Sequence, residues 1–125
     1  MALWERCDLI RPWNDPYADI DRKLADSPWG LLVECDASRI VGTVMVGYDG
    51  HRGWVNYLAC EPSHRRQGIA TALIERAVEL LRARGCPKLN LQIRDGNDAA
   101  TDFYEALGFA PDAATSMGLR LVDDR

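Results

Sequence analysis

Histidine is scarce in this 125-residue chain, with only His51 and His64, and the four cysteines, Cys7, Cys35, Cys60 and Cys86, are widely scattered. No two of these residues have a metal-ligand or redox-motif spacing, so no metal is expected and the cysteines read as reduced, buried thiols. No apolar run approaches the ~20 residues of a membrane span, and the charged start Met1-Ala2-Leu3-Trp4-Glu5-Arg6 lacks a signal-peptide pattern. A cytoplasmic protein without a membrane partner is the expectation. A formal net charge of −4 argues against general nucleic-acid binding, local basic patches aside. Also missing are a glycine loop closed by Lys and Ser or Thr and a three-glycine dinucleotide turn, which removes the kinase and dehydrogenase readings.

What is present suffices for one domain over residues 1–125, long enough to bury roughly two-thirds of its unfolded surface without staples. Residues 2–9 suit a short helix. Residues 11–16, with two prolines and an Asn-Asp pair, form a loop ending in Asp15-Pro16, a helix entry with an N-cap and proline at the first helical position. The next helix should run over 16–26, burying Tyr17, Ile20 and Leu24 with the charges opposite. Strands follow at 29–34 and 39–48, joined by a link short enough for a hairpin, and the turn at 49–53 leads to a third at 54–60.

Apolar residues Ile69, Leu73, Ala77, Leu80 and Leu81 then recur at three and four, and Gly85 lies just beyond, predicting an amphipathic helix over 69–84. Alternation over 88–94 predicts a half-buried strand. Asn97 caps one more helix, which stops at Gly108, and 117–122 reads as a final strand or two. The order of elements is that of an α/β (α+β) domain.

Between the third strand and the strongest helix stands Arg65-Arg66-Gln67-Gly68-Ile69-Ala70. A helix start leaves backbone N–H groups unpaired and partly positive, so a diphosphate can lie across it where glycine admits close approach. Gly68 supplies that, and Arg65 and Arg66 add charge. Arg65, Gly68 and Ala70 match Arg/Gln-x-x-Gly-x-Gly/Ala, which resembles the coenzyme A pyrophosphate motif of the GNAT (Gcn5-related) N-acetyltransferases. About thirty residues on, Asn97, Ala99, Ala100, Phe103, Tyr104, Leu107, Gly108 and Phe109 follow that family's second pattern closely. Residues 3–9, 11–16 and 48–53 make the chain similar to the small bacterial YpeA-type branch. The family usually has a first strand ahead of its first helix, for which no residues remain here.

The resemblance implies a GNAT-like mixed central sheet flanked by helices, in which the strand at 54–60 and the one after the long helix run parallel and splay apart to admit the pantetheine arm. It implies acetyl-CoA as co-substrate, held by Leu58, Cys60, Arg65, Arg66, Gln67, Gly68, Ile69, Ala70, Thr71, Asn97 and Tyr104. Backbone N–H groups near Leu58 and Cys60 would polarise the thioester carbonyl, and Tyr104 would act as general acid toward the departing thiolate. No carboxylate lies in 54–60, so Glu61 is the candidate base, with Glu34 and His51 behind it and a water chain as the substitute. The acceptor side falls on Arg11, Trp13, Asn14 and Asp15. An N-acetyltransferase of unknown amine acceptor is the reading, with a non-catalytic acyl-CoA-binding module as the alternative; a homodimer would cover the exposed edge of the strand at 29–34.

Overall fold

The computed structural model describes residues 1–7 and 9–123. It contains two compact bodies, the first spanning residues 1–91 and the second 92–123.

In the first body, helices α1 (Ala2–Arg6) and α2 (Pro16–Asp26) precede strands β1 (Leu31–Asp36), β2 (Arg39–Tyr48) and β3 (Gly53–Cys60), then helix α3 (Ile69–Ala83) and strand β4 (Leu89–Asn90). The sheet order is β1-β2-β3-β4, antiparallel through β3 and parallel between β3 and β4, so the mixed sheet is present as expected. Trp29 and Gly30, read as the start of the first strand, instead belong to a 3₁₀ turn over Pro28–Gly30.

Helices cover both sheet faces because side chains alternate along a strand. On one face, a side chain at Gly42 would run into Ile69 and Leu73 of α3, so the glycine lets that helix pack closely. On the other, the neighbouring Thr43 hydroxyl accepts from Trp4 Nε1 of α1 at 2.8 Å. Val41, Val44, Val46, Val55, Leu73, Ile74, Ala77 and Leu81 are buried, and each such aliphatic contributes on the order of 1.5–3 kcal/mol.

The predicted face of α2 holds at Ile20, which is half-buried and packs on the Leu3, Trp4 and Ala59 cluster, and fails at its other two residues. Tyr17 and Leu24 are 64% and 49% exposed, whereas Lys23 is buried. Its ammonium donates to Ser27 Oγ at 2.7 Å and to the Val46 carbonyl, and it lies 5.3 Å from the Trp29 ring centroid. A lysine with a carbonyl, a hydroxyl and a ring to receive it can be drawn inward. Burial pushes its pKa down.

The second body holds α4 (Asp98–Ala106), whose N-cap Asn97 accepts the Ala100 N–H at 3.1 Å. Tyr104 meets Phe103 and Phe109 edge to face, with centroids 5.0 and 5.3 Å apart. Two further expectations fail. The strand read over 88–94 is reduced to Leu89–Asn90, and residues 117–122 form no strand, leaving Met117, Leu119 and Leu121 almost wholly exposed. Period-two alternation marks a chain fit for a ladder but cannot supply the neighbouring strand.

Candidate active site

The turn from β3 into α3 is built to expose backbone donors. Arg66 and Gly68 both take left-handed backbone, with φ of 67° and 79°. Such a conformation costs an ordinary L-residue roughly 1–2 kcal/mol, so Gly68 fits its place and Arg66 holds a strained one. No side chain caps α3 among the described residues. Its first turn closes with Ala72 N–H bonded to Gly68 O at 2.9 Å, which leaves the amides of Ile69, Ala70 and Thr71 one turn short of a helical acceptor. Space is open where a side chain at Gly68 would stand, while Arg65, Arg66 and Gln67 are exposed around it. A diphosphate fits this arrangement of charge, free amides and room.

Upstream, β3 carries a bulge. Thr43 pairs with Ala59 and Met45 with Asn56, so Val44 alone stands opposite Tyr57 and Leu58, and Tyr57 has φ of 53°. Bulges re-aim backbone groups, and this one falls beside Leu58, where the family resemblance implies carbonyl-polarising amides. The parallel ladder pairs only Gly53 with Leu89 and Trp54 with Asn90. Beyond Trp54, that edge of β3 has no further ladder pair among the described residues.

One ring stack and two hydrogen bonds hold Tyr57 at the bulge. The Tyr57 ring stacks on Trp4 with centroids 4.0 Å apart and planes 7° from parallel. Thr43 Oγ1 donates to the Tyr57 carbonyl at 2.9 Å, and the Tyr57 hydroxyl donates to Asp19 Oδ2 of α2 at 2.5 Å. Nothing in the sequence marked this. Residues 54–60 read as an uninterrupted strand, and Asp19 as one more solvent-facing charge on α2.

Glu61 is 5% exposed and its carboxylate is already engaged. Arg6 reaches both oxygens, with Nε 3.0 and 2.7 Å away, and Arg39 lies 3.6 Å from Oε2. Hydrogen bonding from Arg6 holds the carboxyl below the usual range, which makes it a poor proton acceptor and a good strut between α1 and the end of β3. Nearby, the Cys7 thiol donates to the Cys60 carbonyl at 3.2 Å, and burial pushes the Cys60 thiol up. The other base candidates lie elsewhere. His51 is exposed in the turn before β3, and Glu34 is exposed on the outer strand β1.

On the acceptor side, Asp15 caps α2, accepting the Tyr17 and Ala18 amides at 3.0 and 3.2 Å. Arg11 donates to the Ile10 carbonyl at 3.1 Å and accepts the Asn14 amide at its own carbonyl, also at 3.1 Å, while the Trp13 ring is largely exposed. In the second body, Asn97 is engaged as a cap, and burial pushes the Tyr104 phenol up to about 12. It is therefore protonated at neutral pH and able to donate.

Residues 1–109 match the family model described as the acetyltransferase (GNAT) family. An acetyltransferase of Sodalis glossinidius is 51% identical over 126 residues, covering all of this chain and 89% of that protein. Among solved structures, an acetyltransferase of Trypanosoma brucei superposes with a TM-score of 0.68 at 27% identity, covering 96% of this chain and 89% of that one. Ard1 of Thermoplasma volcanium shares the fold, with a TM-score of 0.77 at 23% identity over 90% of this chain and 76% of that one. A family match over residues 1–109 and a relative 51% identical across the whole chain, together with an open helix start that follows a bulged strand, make this chain a member of the GNAT acetyltransferase family.

Proposed function

We propose that the protein moves the acetyl group of acetyl-CoA to a primary amine. The observation that carries this reading is the start of α3, uncapped by any described side chain, with open space at Gly68 and Arg65 and Arg66 exposed beside it. In this reading the amides of Gly68, Ile69, Ala70 and Thr71, with Arg65, Arg66 and Gln67, hold the diphosphate. The amides at Leu58 and Cys60 meet the acetyl carbonyl, and Tyr104 protonates the leaving sulfur. When bound, acetyl-CoA supplies the activated acyl group, and the chain supplies position, dipoles and protons.

Amine class matters energetically. A lysine-type amine near pKa 10.4 costs roughly 4.6 kcal/mol to deprotonate at pH 7, whereas an α-amine near 7.8 costs about 1 kcal/mol. With Glu61 clamped by Arg6, α-amines and other weakly basic amines are the favoured acceptors. The same clamp supports the second reading, an acyl-CoA-binding module without chemistry. Incubation with acetyl-CoA and a panel of α-amino peptides, polyamines and amino sugars, read by mass spectrometry, separates the two. Acetylated product supports the transferase, whereas tight acetyl-CoA binding with no product from any amine supports the module.

A further inference from the structure

One side-chain constellation of the first body takes no part in acetyl transfer. Pro62 starts the 3₁₀ turn Pro62–His64 that follows β3, and the His64 amide closes it on the Glu61 carbonyl at 2.8 Å. In that turn the Ser63 hydroxyl lies 2.9 Å from His64 Nδ1. His64 Nε2 lies 2.8 Å from Oδ2 of Asp36, the last residue of β1. Beside Asp36, Ala37 takes a left-handed φ of 56° and turns the hairpin, so that Asp36 pairs with Arg39. Arg39 in turn lies 3.6 Å from Glu61 Oε2, and the hairpin end thus meets the 61–64 segment at two residues.

The order of these contacts fixes the protons. A carboxylate only accepts, so Nε2 carries the imidazole proton toward Asp36, and in the neutral ring Nδ1 is left to accept from the Ser63 hydroxyl. Nucleophile, base and orienting carboxylate are then joined at hydrogen-bonding distance, the arrangement that activates a serine on unrelated folds. Ser63 is exposed and the His64 side chain only 19% exposed, which leaves the nucleophile open to solvent and its base largely shielded.

We propose that Ser63, His64 and Asp36 form a second catalytic site, which hydrolyses acyl phosphates. The substrate class follows from the surroundings. At an exposed serine, water weakens any dipole aimed at the carbonyl, so the acyl group must bring its own activation in a good leaving group. Arg65 and Arg66, exposed immediately after His64, favour a leaving group that carries negative charge. Phosphate meets both demands.

The chemistry balances with water as the only other reactant. Ser63 Oγ bonds to the acyl carbon as its proton passes to His64 Nδ1, and the bond from that carbon to the phosphate oxygen breaks with its electron pair going to phosphate, which takes the proton from His64. Water then attacks the acyl carbon as His64 Nδ1 takes its proton. The acyl–Ser63 bond breaks, the Ser63 oxygen recovers a proton from His64, and a carboxylic acid departs. Ser63 and His64 are the catalytic residues; Asp36 acts through His64 and is a positioning residue.

The test uses the full chain and acetyl phosphate, with neither acetyl-CoA nor amine, and follows phosphate release. Ser63→Ala should fall to the rate of the protein-free solution with its melting temperature nearly unchanged. His64→Gln should lower kcat by roughly 10²-fold, the scale of general base catalysis. Asp36→Asn should lower kcat less, because its side chain is 66% exposed and water can replace part of its role, with KM unchanged. A fluorophosphonate, which bonds to activated serines and stays, should label Ser63 in the parent and not in His64→Gln. Equal phosphate release from the parent and Ser63→Ala, or no fluorophosphonate on Ser63 of the parent, overturns the site and leaves acetyl transfer to amines standing.

Discussion

The two long helices of the first body, α2 and α3, begin in opposite ways. At α2 the Asp15 carboxylate accepts the Tyr17 and Ala18 amides and Pro16 removes a further donor. At α3 the cap position is a left-handed glycine, no described side chain reaches back, and the two arginines just before it, Arg65 and Arg66, are exposed. Both starts obey the same electrostatics, since each helix presents partial positive charge at that end. The difference is who supplies the negative partner. At α2 it is the chain itself, and the end is closed; at α3 no described side chain supplies it, and in the proposed function a ligand would. The second body's α4 is closed too, by Asn97.

If closed helices serve through side chains and the open one through its backbone, changes at the former should alter chemistry or stability and leave cofactor affinity alone. The largest such effect is expected at Tyr104 on α4. Tyr104→Phe should lower kcat by roughly 10²-fold, at the modest end for a general acid because burial raises its pKa to about 12, with acetyl-CoA affinity retained. Steady-state kinetics beside calorimetry would show it. Full kcat with chemistry rate-limiting would make Tyr104 a packing aromatic only.

Next comes the Glu61 strut below the open end. Hydrogen bonding from Arg6 lowers the folded-state pKa of Glu61, so its stabilisation is present above the unfolded carboxylate range and disappears as pH falls through the depressed folded value. Glu61→Gln should melt several degrees below the parent at pH 7, and the two curves should converge in strong acid. If Glu61 were instead the catalytic base, the variant would melt like the parent and lose turnover. The smallest effect is expected at the closed start of α2. Asp15→Ala should cost about 1 kcal/mol of stability, measured by denaturant unfolding, without changing acetyl-CoA affinity.

Legibility in the sequence follows the range of the physics involved. α3 was readable because its apolar stripe and flanking glycines are local signals, and its exposed start because a basic glycine turn before a helix is a local pattern too. The faces of α2 were not. Lys23 is buried because Val46, Ser27 and the Trp29 ring surround its ammonium, none of which periodicity can see. Residues 117–122 failed in the opposite sense, with a strand pattern but no ladder. The bulge at Tyr57 was invisible because it depends on which residue of β2 stands opposite, and the clamp on Glu61 because Arg6 arrives from fifty-five residues away.

The central claim is that α3 is kept open for the diphosphate of acetyl-CoA. Its most direct test is calorimetric titration of acetyl-CoA into Gly68→Asn and Gly68→Asp. Asn and Asp enter left-handed backbone more readily than other side-chain-bearing residues and have nearly the same shape, so they differ at this position chiefly in charge. An open cradle predicts that the Asn variant binds measurably while the Asp variant, its carboxylate opposing the diphosphate, binds at least about 100-fold more weakly than Asn, or ~2.7 kcal/mol. Equal affinities in two folded variants would contradict it.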